Sequence, residues 1–267
     1  MPELPEVETI RRQLSPLVVG RRLVSAWAFP HPKFTPALDV EGASVDALER
    51  RGKYLLFSLD DDRELVVHLG MTGSLRVRPP ADQGDAYVRA TWALDTPGGD
   101  VLEYRDVRRF GRLAVAEGGI YAGTLAVQGP DALDLALGPD DLWRMLRRSR
   151  RAIKTQLLSQ RPIAGLGNIY ADEALWRARI HPARRSVTRR QAEALLTACH
   201  AVLREALDHT GTTLRDYRTP NGESGRNQFH LDCYGRAGLP CHRCGTLVRR
   251  MLLDARSTTW CPTCQPR

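Results

Sequence analysis

The sequence predicts an α+β protein of several domains: an antiparallel β-sandwich preceded by a helix, then a helical region, then a small zinc-binding unit. Short apolar runs separated by Gly, Pro and Asp fill residues 23–117, and helical spacing of apolar residues begins near Asp140. Four cysteines close the chain in the pattern C-x2-C-x16-C-x2-C. A chain of 267 residues is long enough for such a division, because domains usually hold roughly 50–250 residues.

A helix is expected almost at the start of the chain. After Pro5, apolar residues recur at the spacing of one helix face, at Val7, Ile10, Leu14, Leu17 and Val18. Pro5 suits the first helical turn and Gly20 suits the stop. Residues 1–4 then form a short extended lead.

The next region changes to strand-like runs and predicts the sandwich. The runs are Leu23–Phe29, Tyr54–Leu59, Leu65–Leu69, Ser74–Val77, Val88–Leu94 and Val101–Tyr104. TPGGD at residues 96–100 is typical of a hairpin turn. We therefore expect an N-terminal domain over residues 1–117, followed by a linker over residues 118–139.

Helical patterns predict a second domain over residues 140–232. The expected helices run from Asp140 to about Arg150, over Ile153–Ser159, over Ile169–Arg179, from Thr188 to about His209, and briefly from Thr212. Thr188 and Gln191 form a capping box for the longest of them. Residues 216–232 contain Pro220, Gly222 and Gly225, which predict a loop.

The four closing cysteines, Cys241, Cys244, Cys261 and Cys264, predict one zinc ion in a unit over residues 233–267. Four thiolates complete the tetrahedral coordination of zinc and leave no position for water, so the ion is expected to be structural. Disulfides fit poorly, because the N-terminus has no apolar stretch of the kind found in export signals. Cys199 and Cys233 are expected to be small buried residues.

The charge is unevenly distributed. The whole chain carries a net charge of +8; residues 1–140 sum to −5 and residues 141–267 to +13. A basic C-terminal half indicates a polyanionic partner, most often nucleic acid. No apolar run approaches the roughly 20 residues that a membrane span needs, so we expect no membrane partner and a cytoplasmic location.

The first three residues, Met1-Pro2-Glu3, include groups that could take part in catalysis. A small second residue permits removal of Met1, which exposes Pro2 as a secondary amine. An α-amino group has a pKa near 8, so roughly a tenth of it is neutral at pH 7 and can attack a sugar carbon. Glu3 could move a proton. Many proteins begin with Met-Pro and use neither residue, so this feature alone decides nothing.

Longer motifs along the chain help to interpret this opening. PELPEVETIRR, RRGKYLLF, HLGMTGSL, DVRRFGRL, GLGNIYADE and the cysteine unit with ARSTTWC occur in this order. By these motifs, which cover essentially the whole chain, the sequence resembles the formamidopyrimidine-DNA glycosylase family. The resemblance implies an N-terminal β-sandwich, a helix–two-turn–helix domain and a zinc finger, with DNA bound in the cleft between the halves.

The resemblance also implies residue roles. Pro2 is the nucleophile that forms a Schiff base with C1′ of the damaged nucleotide, and Glu3 assists opening of the deoxyribose ring. Lys53 is a proton donor or phosphate contact near the lesion. Arg256, on the zinc finger, holds phosphates beside the lesion and supports strand cleavage by β,δ-elimination.

A second group of residues is implied to bind DNA. Met71, Arg109 and Phe110 would fill the gap that a flipped nucleotide leaves, since an apolar wedge offsets lost stacking. Three further residues would contact the DNA backbone: Asn168, Lys154 and His68. The chain departs from the family at Val107, where proline is usual, so this loop is expected to be less rigid.

The resemblance implies a bifunctional glycosylase and AP lyase for 8-oxoguanine and formamidopyrimidines, acting as a monomer on damaged double-stranded DNA in the bacterial nucleoid. Two alternatives remain. An endonuclease VIII-type enzyme would prefer oxidised pyrimidines, but its gap-filling residues differ from Met71 and Arg109-Phe110. A zinc-finger DNA-binding protein without catalysis fits the charge and the cysteines equally well, but it leaves Pro2, Glu3 and Lys53 unexplained.

Overall fold

The computed structural model describes residues 2–267. The α-helices are α1 Leu4–Val18, α2 Gly123–Val127, α3 Pro139–Leu146, α4 Ile153–Leu158, α5 Asn168–Arg177 and α6 Arg189–Asp208. The strands are β1 Leu23–Ala28, β2 Val45–Arg51, β3 Tyr54–Leu59, β4 Arg63–His68, β5 Gly73–Arg78, β6 Val88–Leu94, β7 Val101–Asp106, β8 Arg112–Glu117, β9 Arg249–Leu253 and β10 Arg256–Trp260. Two 3-10 turns cover Thr35–Val40 and Asn227–His230.

The first eight strands form the predicted antiparallel sandwich. Their order is β1–β6–β7–β5 in one sheet and β2–β3–β4–β8 in the other. Trp92 and Tyr104 from the first sheet share one buried cluster with Leu55 and Phe57 from the second. The Trp92 indole N–H donates to the Ala37 carbonyl at 2.9 Å, so this large side chain is buried with its polar atom satisfied.

Two strands of the sandwich were not predicted as strands from the sequence. They are β2 and β8, the two edge strands of the second sheet. β2 reads VDALERR and carries four charged residues, which obscure the apolar alternation. Charged edge strands are expected, because they discourage pairing with another chain.

Helix α1 confirms the predicted N-terminal helix. It buries Val7, Ile10 and Leu14 in the sandwich core, and Gly20 follows at φ +76°, a conformation suited to a helix stop. Leu17 differs from the expectation, since it is 42% exposed.

The C-terminal half contains the predicted helices and the cysteine unit. Helix α5 is buried along most of its length, and Glu173 on it accepts backbone N–H bonds from Asp232, Cys233 and Tyr234 at 2.9, 2.8 and 2.7 Å. One buried carboxylate therefore fixes the chain where it enters the cysteine unit. Cys233 and Cys199 are buried, as predicted.

Two expectations about helices were wrong. The short helix expected from Thr212 does not form, and the Thr212 N–H donates to Glu6 Oε1 at 2.7 Å. The helix expected from Asp140 to about Arg150 ends at Leu146. A short helix over Gly123–Val127 lies in the segment expected to be a linker.

The chain forms two compact units that differ from the linear order of the predicted domains. The first unit reaches Ala126 and also includes His209–Arg226. The second comprises Val127–Asp208 and Asn227–Arg267, so the helices and the cysteine unit belong together. Within residues 2–267, no helix combines the length and apolar character that crossing a membrane requires.

Candidate active site and nucleic-acid interface

The chain start is held firmly in the first unit. Pro2 is buried and Glu3 is 2% exposed. The Glu3 N–H donates to Glu6 Oε2 at 2.8 Å, and its carbonyl accepts the Val7 N–H at 3.0 Å. The backbone beside the predicted nucleophile therefore has a defined position.

Glu6 was not recognised from the sequence. It is 1% exposed, and its two carboxylate oxygens accept the N–H groups of Glu3 and Thr212, which lie far apart in the sequence. A Cβ added at Gly211 would lie 2.9 Å from Glu6 Oε1, so glycine permits this close approach. Glu6 thus positions Glu3 and anchors the loop after α6.

Lys53 and His68 belong to the region of the second sheet, and the charge of Lys53 affects the pKa of His68. Lys53 is 7% exposed and follows Gly52, whose φ of +60° makes the β2–β3 turn. Burial lowers the pKa of His68 to about 4, and the positive charges of Lys53 and Arg112 add to this effect. His68 Nδ1 accepts the Gly70 N–H at 3.3 Å, so the neutral ring carries its proton on Nε2 and can donate it.

The stability of the protein should fall on acidification partly because of His68. An unfolded histidine takes up its proton near pH 6.5, whereas folded His68 does so at about pH 4. Its stabilising contribution is therefore complete above pH 6.5 and is lost as the pH falls to about 4. Chemical denaturation at several pH values gives the free energy of unfolding as a function of pH. Between pH 4 and 6.5 this dependence should be shallower for His68→Gln than for the wild type, by up to about 1.4 kcal/mol per pH unit.

His181 and His200 also have lowered pKa values because of burial, but both are retained in the variant, so the difference between the two proteins isolates His68. Equal slopes between pH 4 and 6.5 would show that His68 is not the group responsible.

The predicted gap-filling residues lie on two turns that pack against each other. A Cβ added at Gly70 would lie 2.4 Å from the Gly111 nitrogen, so the turn carrying Met71 directly contacts the segment after β7. Buried Asp106 accepts hydrogen bonds from Thr72 Oγ1 at 2.5 Å and from the Gly111 N–H at 2.8 Å. Asp106 therefore links the two turns, a role that the sequence pattern did not indicate.

Arg109 and Phe110 are presented outward by this segment. Phe110 is 49% exposed, and the Arg108 guanidinium lies 4.7 Å from its ring centre. Arg109 has a φ of +56°, and its carbonyl accepts a hydrogen bond from Lys33 Nζ at 2.9 Å. The bonds to Asp106 and Lys33 hold the segment that contains Val107 in place.

In the second unit, Asn168 and Lys154 both hold the strand that begins at Arg256. Asn168 Nδ2 and Lys154 Nζ donate to the same carbonyl, that of Ser257, at 3.0 and 3.1 Å. Arg256 itself is exposed at the start of β10, after a tight turn in which Asp254 and Ala255 have φ values of 46° and 59°. Its exposed side chain thus projects from a strand with a fixed backbone.

Lys154 lies deeper than a phosphate contact would require. Its side chain is 1% exposed, and Nζ lies 2.6 Å from Asp172 Oδ1 and 2.9 Å from Thr258 Oγ1. The second Asp172 oxygen accepts the N–H of Thr259 at 2.9 Å. Its predicted DNA contact remains a prediction, and its position is that of an interior ion pair joining α4, α5 and β10.

Lys154→Met should therefore destabilise the protein strongly. Removal of the ammonium leaves the Asp172 charge buried beside weaker donors, and breaking a buried pair typically costs about 3–5 kcal/mol. Urea denaturation measures this loss. The matched control is Lys33→Met, which removes a partly exposed lysine with one backbone partner and should cost less than about 1 kcal/mol. A stable Lys154→Met protein with weakened DNA binding would instead favour the phosphate role.

The four closing cysteines form a cluster that fits a tetrahedral metal ion. All four Sγ atoms lie within 4.8 Å of one another, with Cys241–Cys264 at 4.0 Å and Cys244–Cys261 at 3.5 Å. Zinc–sulfur bonds of about 2.3 Å place tetrahedral sulfurs about 3.8 Å apart. The Trp176 indole N–H donates to Cys241 Sγ at 3.4 Å, an outer contact that orients the ligand.

The predicted site residues thus form separate groups. One group belongs to the first unit and comprises Pro2, Glu3, Lys53, His68, Met71, Arg109 and Phe110. The other belongs to the second unit and comprises Lys154, Asn168, Arg256 and the four cysteines. Residues 209–226, which overlap the expected loop at 216–232, lie in the first unit together with Pro2 and Glu3.

Comparison with known proteins gives three family matches along the chain. Residues 1–113 match the formamidopyrimidine-DNA glycosylase N-terminal domain, and residues 128–218 match the H2TH domain of the same glycosylase. Residues 238–267 match a zinc finger found in FPG and IleRS. Together these matches cover most of the chain.

Individual relatives agree over the full length. The chain is 44% identical to a formamidopyrimidine-DNA glycosylase of Thermomicrobium roseum, covering 100% of this chain and 99% of that protein. It superposes on the crystal structure of the MutM (Fpg) protein from Thermus thermophilus with a TM-score of 0.90 at 44% identity, covering 99% and 98% of the two chains. A Lactococcus lactis Fpg bound to DNA containing an abasic site gives a TM-score of 0.88 at 32% identity, covering 99% and 100%.

Proposed function

This chain belongs to the formamidopyrimidine-DNA glycosylase family, and from that premise we propose that it excises oxidised purines from duplex DNA and then cleaves the strand. The proposed substrates are 8-oxoguanine and formamidopyrimidines, and the partner is damaged double-stranded DNA bound by a monomer. Solved Lactococcus lactis relatives bound to DNA that contains Fapy-dG or an abasic site support this substrate class.

The observation that carries the proposal is the buried start of the chain. Pro2 is buried, Glu3 is 2% exposed, and Glu6 holds the Glu3 backbone at 2.8 Å. A secondary amine at this position combines a partly neutral nucleophile with a fixed location, and both are needed for attack on a bound sugar.

The proposed chemistry begins after removal of Met1. The Pro2 nitrogen attacks C1′ of the damaged nucleotide, an N–C1′ bond forms, and the bond from C1′ to the base breaks with a proton going to the base. Glu3 supplies a proton as the sugar ring opens to an iminium ion, and Lys53 serves as a second proton donor or as a phosphate contact. Eliminations at the 3′ and 5′ carbon–oxygen bonds release the two phosphates, and hydrolysis frees Pro2.

Base extrusion needs a replacement for the lost stacking. Half-exposed Phe110, with Arg109 and Met71 on the paired turns, supplies an apolar wedge and a guanidinium that can hydrogen-bond the unpaired base. Asn168 and Arg256 contact phosphates, and the Nε2–H group of neutral His68 donates to another.

The cysteine cluster is proposed to hold one structural zinc ion. The four thiolates would complete its coordination, so the ion stabilises the hairpin that carries Arg256. The catalytic steps use only side chains and the terminal amine.

Borohydride trapping tests the function directly. We expect a duplex with 8-oxoguanine opposite cytosine to form a covalent adduct, and mass mapping of the cross-linked peptide to locate it on Pro2. Nicked product should accumulate over many turnovers. An adduct on another residue, or no adduct from protein that lacks Met1 and binds DNA, would refute the proposed chemistry.

The two alternatives predict different outcomes of the same assay. Clear preference for thymine glycol over 8-oxoguanine would indicate an endonuclease VIII-type enzyme. Binding of the lesion duplex without any nicking would indicate a DNA-binding protein without catalysis.

A further inference from the structure

The helical unit contains a cavity that the proposed function leaves unused. Its volume is about 530 Å³, and it lies beside the end of α3, the following loop and the turn after α4. Its polar lining residues are Arg148, Ser149, Arg151, Gln156, Ser159 and Arg161. Val127, Met145 and Pro162 complete the wall. The lining contains three cationic side chains and no acidic one.

Two of these arginines have no acidic partner among residues 2–267. Arg148 and Arg161 are exposed, and no carboxylate oxygen in the described range 2–267 lies within 4.0 Å of their guanidinium groups. Arg151 differs, because its guanidinium lies 3.6 Å from the exposed carboxylate of Asp254. Arg148 and Arg161 thus leave most of their hydrogen-bond donors for a ligand, and a guanidinium matches phosphate geometry well.

One wall of the cavity is built around a buried amide. Gln156 is 3% exposed, and its Nε2 donates to the Ser149 and Arg151 carbonyls at 3.3 and 2.8 Å. Its Oε1 atom is buried and accepts no hydrogen bond from any residue between Pro2 and Arg267. Gln156 therefore fixes the backbone of the loop that carries Ser149 and Arg151.

The backbone next to Arg161 is also held by hydrogen bonds. Gln160, at φ +64°, donates from Nε2 to the Leu166 carbonyl at 2.7 Å and accepts the Gly165 N–H at 2.8 Å. The Gly129 N–H donates a hydrogen bond to the Gln160 carbonyl at 2.8 Å. A Cβ added at Gly129 would lie 2.3 Å from the Arg161 carbonyl oxygen, so the two backbone segments are in close contact. The backbone that presents Arg161 is therefore held from two sides.

From these features we infer that the cavity is a second phosphodiester-binding site, at which Arg148 and Arg161 hold the backbone of bound duplex DNA. The inference rests on the proposed function, since it assumes a DNA partner. It adds contacts to those of Asn168 and Arg256 and leaves the chemistry at Pro2 unchanged. Arg161 lies in the segment that joins α4 and α5, residues 159–167, and Asn168 follows this segment directly. One segment would therefore contact phosphates near both of its ends.

The test measures binding to an undamaged duplex, so its result does not depend on base excision. The double variant Arg148→Gln/Arg161→Gln is compared with Arg190→Gln/Arg204→Gln, which removes the same charge from exposed positions on α6. Affinity is measured between about 50 and 200 mM salt. Loss of two phosphate contacts should reduce the slope of log affinity against log salt by about 1.8, and affinity near 0.1 M salt by about 10- to 60-fold. The α6 variant should keep the wild-type slope.

Three results would overturn the inference. The first is an unchanged slope in the cavity variant, and the second is an equal reduction in both variants, which would reflect net charge alone. The third comes from calorimetric titration with inorganic pyrophosphate. Tight binding that disappears in the cavity variant while the DNA slope stays the same would assign the cavity to a free polyphosphate. Failure of the proposed function is distinguishable, because the wild-type protein would then fail to excise 8-oxoguanine even where these binding slopes behave as expected.

Discussion

Pro2→Gln should abolish the trapped adduct and lower excision of 8-oxoguanine by at least about a thousandfold, as expected for loss of a nucleophile. The large second residue prevents removal of Met1, so no amine stands at position 2. Glu3 and Glu6 are unchanged in this variant, so the hydrogen bond between them is expected to remain. The proposed acid is then retained while the proposed nucleophile is lost.

Pro2→Ala is the matched control. A small residue still permits removal of Met1, so a primary amine replaces the secondary one at the same position. We expect trapping on residue 2 to persist at a reduced rate. Wild-type rates in Pro2→Gln, with the adduct now mapped to Lys53, would show that the nucleophile is the lysine.

Loss of the metal should have the second large effect. Structural zinc sites contribute roughly 10–16 kcal/mol of apparent binding free energy to folding at pH 7, so Cys244→Ser should leave the β9–β10 hairpin poorly ordered. Arg256 lies on this hairpin, and we expect the affinity for a lesion duplex to fall by at least about a hundredfold. Elemental analysis should give one zinc per wild-type chain and much less for the variant.

Cys199→Ala separates this effect from the general loss of a cysteine. Cys199 is fully buried in α6 and lies outside the four-cysteine cluster. The variant should keep one zinc ion and wild-type DNA affinity, although it loses some stability through a small cavity. Full affinity in metal-free Cys244→Ser would show that the hairpin does not need the ion.

Local pattern predicted most of the fold but not the contacts that complete the site. Helix α1 and strands β3 and β6 follow directly from apolar spacing, because each buries one face in the same core. β2 was missed because its charges lie among the apolar positions, as suits an edge strand. The helix expected at Thr212 does not form; the Thr212 N–H donates to Glu6 near the start of the sequence, and no local window contains that contact.

The same limit applies to the site residues. Glu6 and Asp106 are two buried carboxylates, and each has one partner that is distant in the sequence, Thr212 and Thr72 respectively, so their roles depend on tertiary structure. Lys154 matched a family motif near DNA, yet its interior position depends on Asp172 in the next helix. The cysteine cluster was predictable in full, because its ligand spacing is itself the signal.

The discontinuity of the first unit has a consequence for biosynthesis. Residues 209–226 complete the unit that holds Pro2, and the Thr212 N–H donates a hydrogen bond to Glu6. A nascent chain still on the ribosome therefore lacks part of the unit that surrounds Pro2 until translation has passed this segment. Pro2 is among the first residues to be made, whereas the segment that completes its surroundings is made late, so incomplete translation products contain Pro2 and Glu3 without that segment.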